Sequence, residues 1–170
     1  MNRSVVLVLI SFLFVTHDAF AGGATKLLSR QEALEIAQME PEVKGLYALN
    51  NGEFAECIEK EVLKPCESDW VTCVDDAWVV RFKVGEKCFV THDGRLDVIL
   101  LIDAISGKVI SRFPESEYFL DRNYCKEDYD CLSLQKEGKR ACLNFIYGQL
   151  LEGYQDEGCW CENNVCQIKD

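Results

Sequence analysis

The hydrophobic positions change period along the chain, and each change marks an element. Ser29-Arg30-Gln31-Glu32 has the Ser-x-x-Glu form of a capping box; Ala33, Ile36 and Ala37, with Leu34 and Met39 beside them, then recur at helical spacing until Pro41. This predicts a helix whose apolar face covers a sheet. Phe54, Cys57, Ile58 and Val62 share a face between Glu53 and Lys64, with Pro65 behind them, so a second short helix is expected there. The period then drops to two. Trp78, Val80, Phe82 and Val84 line one face of an extended segment, and Val79, Arg81 and Lys83 the other. Gly85-Glu86 turns the chain into a short strand from Lys87 to Thr91, and His92-Asp93-Gly94 leads into Leu96 to Ile102. That run is apolar on both faces near its end, as an interior strand is. Ser106-Gly107 turns again into Lys108 to Phe113, and Pro114 ends the meander. Arg112 and Ser111 make this last strand more polar than Val98 to Ile102, so it is the candidate sheet edge. Further on, Cys142, Phe145, Ile146, Gln149 and Leu150 sit at helical spacing and predict one amphipathic helix.

The first residues follow a different logic. Met1-Asn2-Arg3-Ser4 is a short positive head, Val5 to Val15 is apolar, and Ala19-Phe20-Ala21 fits the small-x-small cleavage rule. Residues 1–21 therefore read as a signal peptide cleaved after Ala21. A membrane span needs about 20 apolar residues, and Thr16, His17 and Asp18 break this run first. The expected location is secreted or periplasmic, with no membrane span after cleavage.

Export decides how the ten cysteines are read, because an oxidising compartment favours disulfides over free thiols or zinc. Cys57, Cys66, Cys73 and Cys88 form one even group. Cys125, Cys131, Cys142, Cys159, Cys161 and Cys166 form another. Each group could close on itself, which would leave few bridges across the junction near Pro114 to Arg122; the pairing within each is open. Cys159 and Cys161 lie on the same side of an extended chain, too far apart for easy bridging, so each is expected to bond elsewhere.

The helix with SRQEALEIA, the strand WVVRF and the hairpin around LLIDAISGKVISRF resemble a PepSY-type domain over about residues 28–113. The most specific element is Asp103-Ala104-Ile105-Ser106-Gly107-Lys108-Val109, whose glycine permits the positive φ that bulged hairpin loops need. The resemblance implies a helix packed on an antiparallel sheet of about three strands. This chain departs from a minimal module by its four cysteines and by an insertion from Gly45 to Asp76. Cys125 to Cys131 and the cluster Cys159-Trp160-Cys161 to Cys166 resemble the eight-cysteine-cluster modules of exported proteins, with six cysteines here. The fold class is thus α+β: a PepSY-like domain at 22–114 and a small disulfide-rich module at 121–170. Disulfides at about 2 to 4 kcal/mol each would offset the module's small core.

Composition narrows the chemistry. With 18 Lys and Arg against 29 Asp and Glu, the net charge is -11, and no basic run supplies a nucleic-acid footprint. Of two histidines, His17 leaves with the signal peptide and His92 falls in a turn, with no nucleophile motif beside it. No catalytic residue, cofactor or metal ligand is assigned. The Cys-Trp-Cys thiolates would suit a soft metal only if reduced. Asp121, Glu127, Asp128 and Asp130 do not match an EF-hand loop and read as a solvated acidic loop. Trp78 is expected in the core and Trp160 packed over a disulfide.

The expected function is that of an exported non-catalytic binding protein whose partner is a protein or peptide of the same compartment. The PepSY resemblance implies a peptidase-inhibiting or protease-modulating role, since related modules occur in metalloprotease propeptides. The alternative is a structural or envelope-associated interaction protein that docks through its stapled module.

Overall fold

The structure, a computed structural model, describes residues 26–64, 76–85, 88, 96–136, 138–150, 154–155 and 158–169. The signal peptide, Cys66, Cys73, the strand at 87–91 apart from Cys88, and His92 lie outside the described residues. Helix α1 (Arg30–Met39) starts where expected: Ser29 Oγ accepts the Glu32 N–H at 3.2 Å, and the Glu32 carboxylate accepts the Ser29 N–H at 2.7 Å. That backbone N–H, followed by the Ser29 hydroxyl and Lys26, holds the Glu32 carboxyl at about 2 against an ordinary 4.5. Ala33 and Ala37 form the buried face. Pro41 ends α1 and also opens α2 (Pro41–Ala48), where its fixed φ suits the first helical position.

The helix expected over Glu53 to Lys64 is not formed. A 3-10 turn at Ala55–Cys57 leads instead into strand β1 (Ile58–Leu63). Ile58 and Val62 are four residues apart, an interval that keeps them on one face of a helix and equally of a strand. Tertiary pairing decides: Ile58 stands opposite Val84 and Val62 opposite Val80.

Strands β2 (Ala77–Val84), β3 (Asp97–Asp103) and β4 (Val109–Phe113) complete an antiparallel sheet in the order β1-β2-β3-β4. It has four strands rather than about three, because the misread segment joins its edge. Val80, Phe82, Val98, Leu100 and Ile102 pack against Ala33, Ala37, Val43 and Leu46 of the two helices. Trp78 is partly buried, its Nε1–H donating to the Leu28 carbonyl at 3.0 Å. In the β3–β4 turn Asp103 Oδ1 accepts the Ser106 N–H at 2.6 Å and the Ile105 N–H at 3.1 Å, and Gly107 takes φ +72°. The Ser106 N–H lowers the Asp103 carboxyl below its usual range.

Helix α3 (Glu117–Leu120) follows, then β5 (Cys131–Lys136) and β6 (Lys139–Asn144). The long helix expected through Cys142 is corrected here: Cys142 belongs to β6, and only Phe145–Gly148 is helical, as α4. Asn144 resets the chain, its side chain accepting the Tyr147 N–H as an N-cap. Strand β7 (Tyr154–Gln155) pairs with β5, and β8 (Cys159–Glu162) with β9 (Val165–Ile168). Asn163 and Asn164, both at positive φ, make the two-residue turn between β8 and β9.

Among the described residues four disulfides join Cys57 to Cys88, Cys125 to Cys161, Cys131 to Cys166 and Cys142 to Cys159, with Cα separations of 5.5 to 6.1 Å. Cys159 and Cys161 take different partners, and none of these four bridges links the early cysteine group to the late one. Such a set fits an oxidising, exported compartment. Among the described residues no helix is long and apolar enough to cross a membrane.

Candidate functional site

Among the described residues, a groove lined by aromatic and charged side chains forms where the sheet meets the cysteine-rich segment. Its volume is about 320 Å³, and it is lined by Arg112 and Phe113 of β4, Pro114, Glu115, Tyr118 of α3, the Lys126–Asp130 loop and Phe145 of α4. The Phe113–Pro114 peptide is cis. Tyr118 and Phe145 are buried with ring centroids 5.1 Å apart, whereas Phe113 and Tyr129 are 57% and 69% exposed. The groove thus has a packed aromatic floor and two aromatic side chains open to solvent.

Asp130 fixes the loop. Its Oδ2 accepts the Tyr118 hydroxyl at 2.6 Å, the Lys126 N–H at 2.8 Å and the Glu127 N–H at 3.0 Å. Burial and then this carboxylate push the Tyr118 phenol well above its usual range, so Tyr118 remains a neutral donor. Asp130 is therefore buried and bonded, which corrects the reading of the whole acidic cluster as solvated. The other three acids are exposed but serve local structure: Asp121 accepts the Asn123 N–H at 2.9 Å, Asp128 accepts the Cys161 N–H at 2.9 Å, and the Glu127 side chain accepts from Asp130.

Both cations of the groove have carboxylate partners. Arg112 lies 3.4 Å from Glu40 and 3.3 Å from Glu42, and Glu42 is wholly buried. Lys126 pairs with Glu115, which holds the ammonium above its usual value. Sequence pattern marked Arg112 as an edge residue but gave no sign of Glu42 beneath it.

The cysteine cluster is a staple. The sulfurs of Cys125, Cys131 and Cys166 lie within 4.8 Å of one another, yet all three are in disulfides, so no thiolate is available while the bridges stand. Trp160 does not pack over them as expected. It is 39% exposed, because strand alternation turns Cys159 and Cys161 to the bridged face and Trp160 to the other. No family model matches this chain, and neither a curated protein nor a solved structure is found to resemble it.

Proposed function

We propose that this is an exported, non-catalytic binding protein that takes up an extended peptide segment of a protein along β4. The observation that carries this reading is continuity: β4 is an edge strand, and its last two residues, Arg112 and Phe113, are also the groove's wall. Strand addition at such an edge supplies affinity through main-chain hydrogen bonds, and an adjoining pocket supplies selectivity through one side chain. The resemblance to PepSY-type domains favours a peptidase-modulating use of that edge. The exposed Trp160, with Val165 and Ile168 also exposed on the β8–β9 hairpin, favours a second reading in which the stapled segment docks an envelope partner.

The test compares extended peptides with forms N-methylated at alternate residues, which lack the main-chain donors that strand addition uses. Oxidised protein is titrated with exported proteases and with extended peptides, and backbone amide NMR shifts report the site. Perturbed amides from Ile110 to Phe113, absent with the N-methylated peptides while the β5–β6 amides stay unchanged, support the reading. Perturbations confined to 159–168 would move the site to the hairpin, and turnover of a peptide would overturn the non-catalytic reading.

A further inference from the structure

Resting on the strand-addition reading, we infer that the groove selects a cationic side chain, arginine or lysine, from the bound peptide. The charges argue for this. Glu115, Glu127 and Asp130 line the groove, and Glu40 and Glu42 lie behind its Arg112, so five carboxylates face the two cations Arg112 and Lys126. The formal excess is three negative charges.

Neither cation is available to an anionic ligand without loss elsewhere. Among the described residues the oxygens of Glu42 have no hydrogen-bond donor, and its ion pair is with Arg112. Drawing Arg112 toward a ligand carboxylate would leave Glu42 wholly buried without a counter-charge, which is strongly unfavourable. Lys126 is likewise engaged by Glu115.

A cation meets no such obstacle. It finds the carboxylate excess, and the exposed rings of Phe113 and Tyr129 offer faces on which a guanidinium or ammonium is attracted by the ring quadrupole. The whole chain, at -11, adds a long-range field of the same sign. That field also opposes a second copy of this chain as the occupant of the β4 edge.

The test uses four nine-residue peptides of alternating threonine and valine, capped at both ends, that differ only in a central arginine, lysine, leucine or glutamate. Affinity is read by fluorescence anisotropy and position by amide NMR. The arginine and lysine peptides are expected to bind about tenfold or more tighter than the glutamate peptide, a preference that shrinks as salt shortens the Debye length. Glu127→Gln should narrow the arginine-to-glutamate ratio, and Tyr129→Ala should weaken the arginine peptide more than the glutamate one. Equal affinity for leucine and arginine, or a glutamate preference, overturns the inference while strand addition stands. If none of the four shifts the amides from Ile110 to Phe113, strand addition itself falls. Concentration-dependent shifts at those amides without peptide would put a second copy there and overturn the proposal as well.

Discussion

Asn144 offers a sharp test of how the cysteine-rich segment is held, because its two ends do different work. The residue is wholly buried. Its Oδ1 accepts the Tyr147 N–H at 3.2 Å and caps α4, while its Nδ2 donates to the carbonyls of Tyr118 and Asp121, each at 2.9 Å. Asn144→Ala removes a cap worth about 1 kcal/mol. It also leaves the Tyr118 carbonyl without its donor at about 1 kcal/mol, while the Asp121 carbonyl keeps the Tyr124 N–H at 3.0 Å, for a total near 2 kcal/mol. Asn144→Asp separates the roles. Aspartate caps helices as well as asparagine does, so if the cap were all that mattered the change would be nearly neutral. With the amide donor gone, a carboxylate oxygen instead faces two carbonyl oxygens in a buried site, and the cost should equal or exceed that of alanine. Urea unfolding at neutral pH with disulfides intact, followed by circular dichroism and tryptophan fluorescence, measures both. An Asn144→Asp protein within about 0.5 kcal/mol of the parent would refute the argument that the amide tethers α3.

Two further outcomes follow from other contacts. In Gly45→Ala, an added Cβ would stand 2.6 Å from Phe119 Cβ and 2.7 Å from its Cγ. The overpacking, at about 1 to 3 kcal/mol, should outweigh the gain of about 1 kcal/mol in helix propensity, so the variant melts earlier; a higher melting temperature would contradict the α2–α3 contact. For Glu32 the folded carboxyl sits at about 2 and the ordinary value is 4.5, so the unfolded chain takes up the proton first. The stabilisation from the capping box is complete above the upper value and fades as pH falls toward the lower one. Carboxyl NMR titration checks it, and a Glu32 midpoint near 4.5 would show that the box is not formed.

What was legible in the chain was whatever depended on neighbours in sequence. The capping box at Ser29, the alternation through β2, the Asp103–Gly107 turn and the separate bonding of Cys159 and Cys161 are all local rules, and each holds. The failures have one physical origin. Ile58 and Val62 satisfy both periods, and only Val84 and Val80 across the sheet choose between them. Cys142, Phe145 and Ile146 match helical spacing, but pairing of β6 with β5 claims the cysteine and Asn144 starts the helix afterwards. The groove was invisible for the same reason. Arg112, Glu42, Tyr118 and Asp130 carry no shared spacing, and Glu42 reads in sequence as an ordinary acid in the first turn after Pro41. Tertiary contacts between α2, β4, α3 and the cysteine loop assemble them.

Bridging and packing also divide the chain differently, and the groove lies where the two disagree. The four described disulfides keep early and late cysteines apart. The apolar core does not: Tyr118, Phe119, Leu132, Phe145 and Ile146 belong to the same buried cluster as Val80, Phe82 and Leu100. The sheet side of the groove is therefore held by ordinary core packing. Its other side is the loop Lys126–Asp130, in which residues 126 to 129 are exposed and have little apolar surface to bury. Such a segment cannot be ordered by the hydrophobic effect. Here Cys125 and Cys131 fasten its two ends to β8 and β9, and Asp130 turns back to accept the loop's own N–H groups. Covalent staples and one buried carboxylate thus do for this wall what packing does for β4, so that Tyr129 and Glu127 face Phe113 across an ordered gap and a bound side chain need not bear the full entropy of ordering the loop.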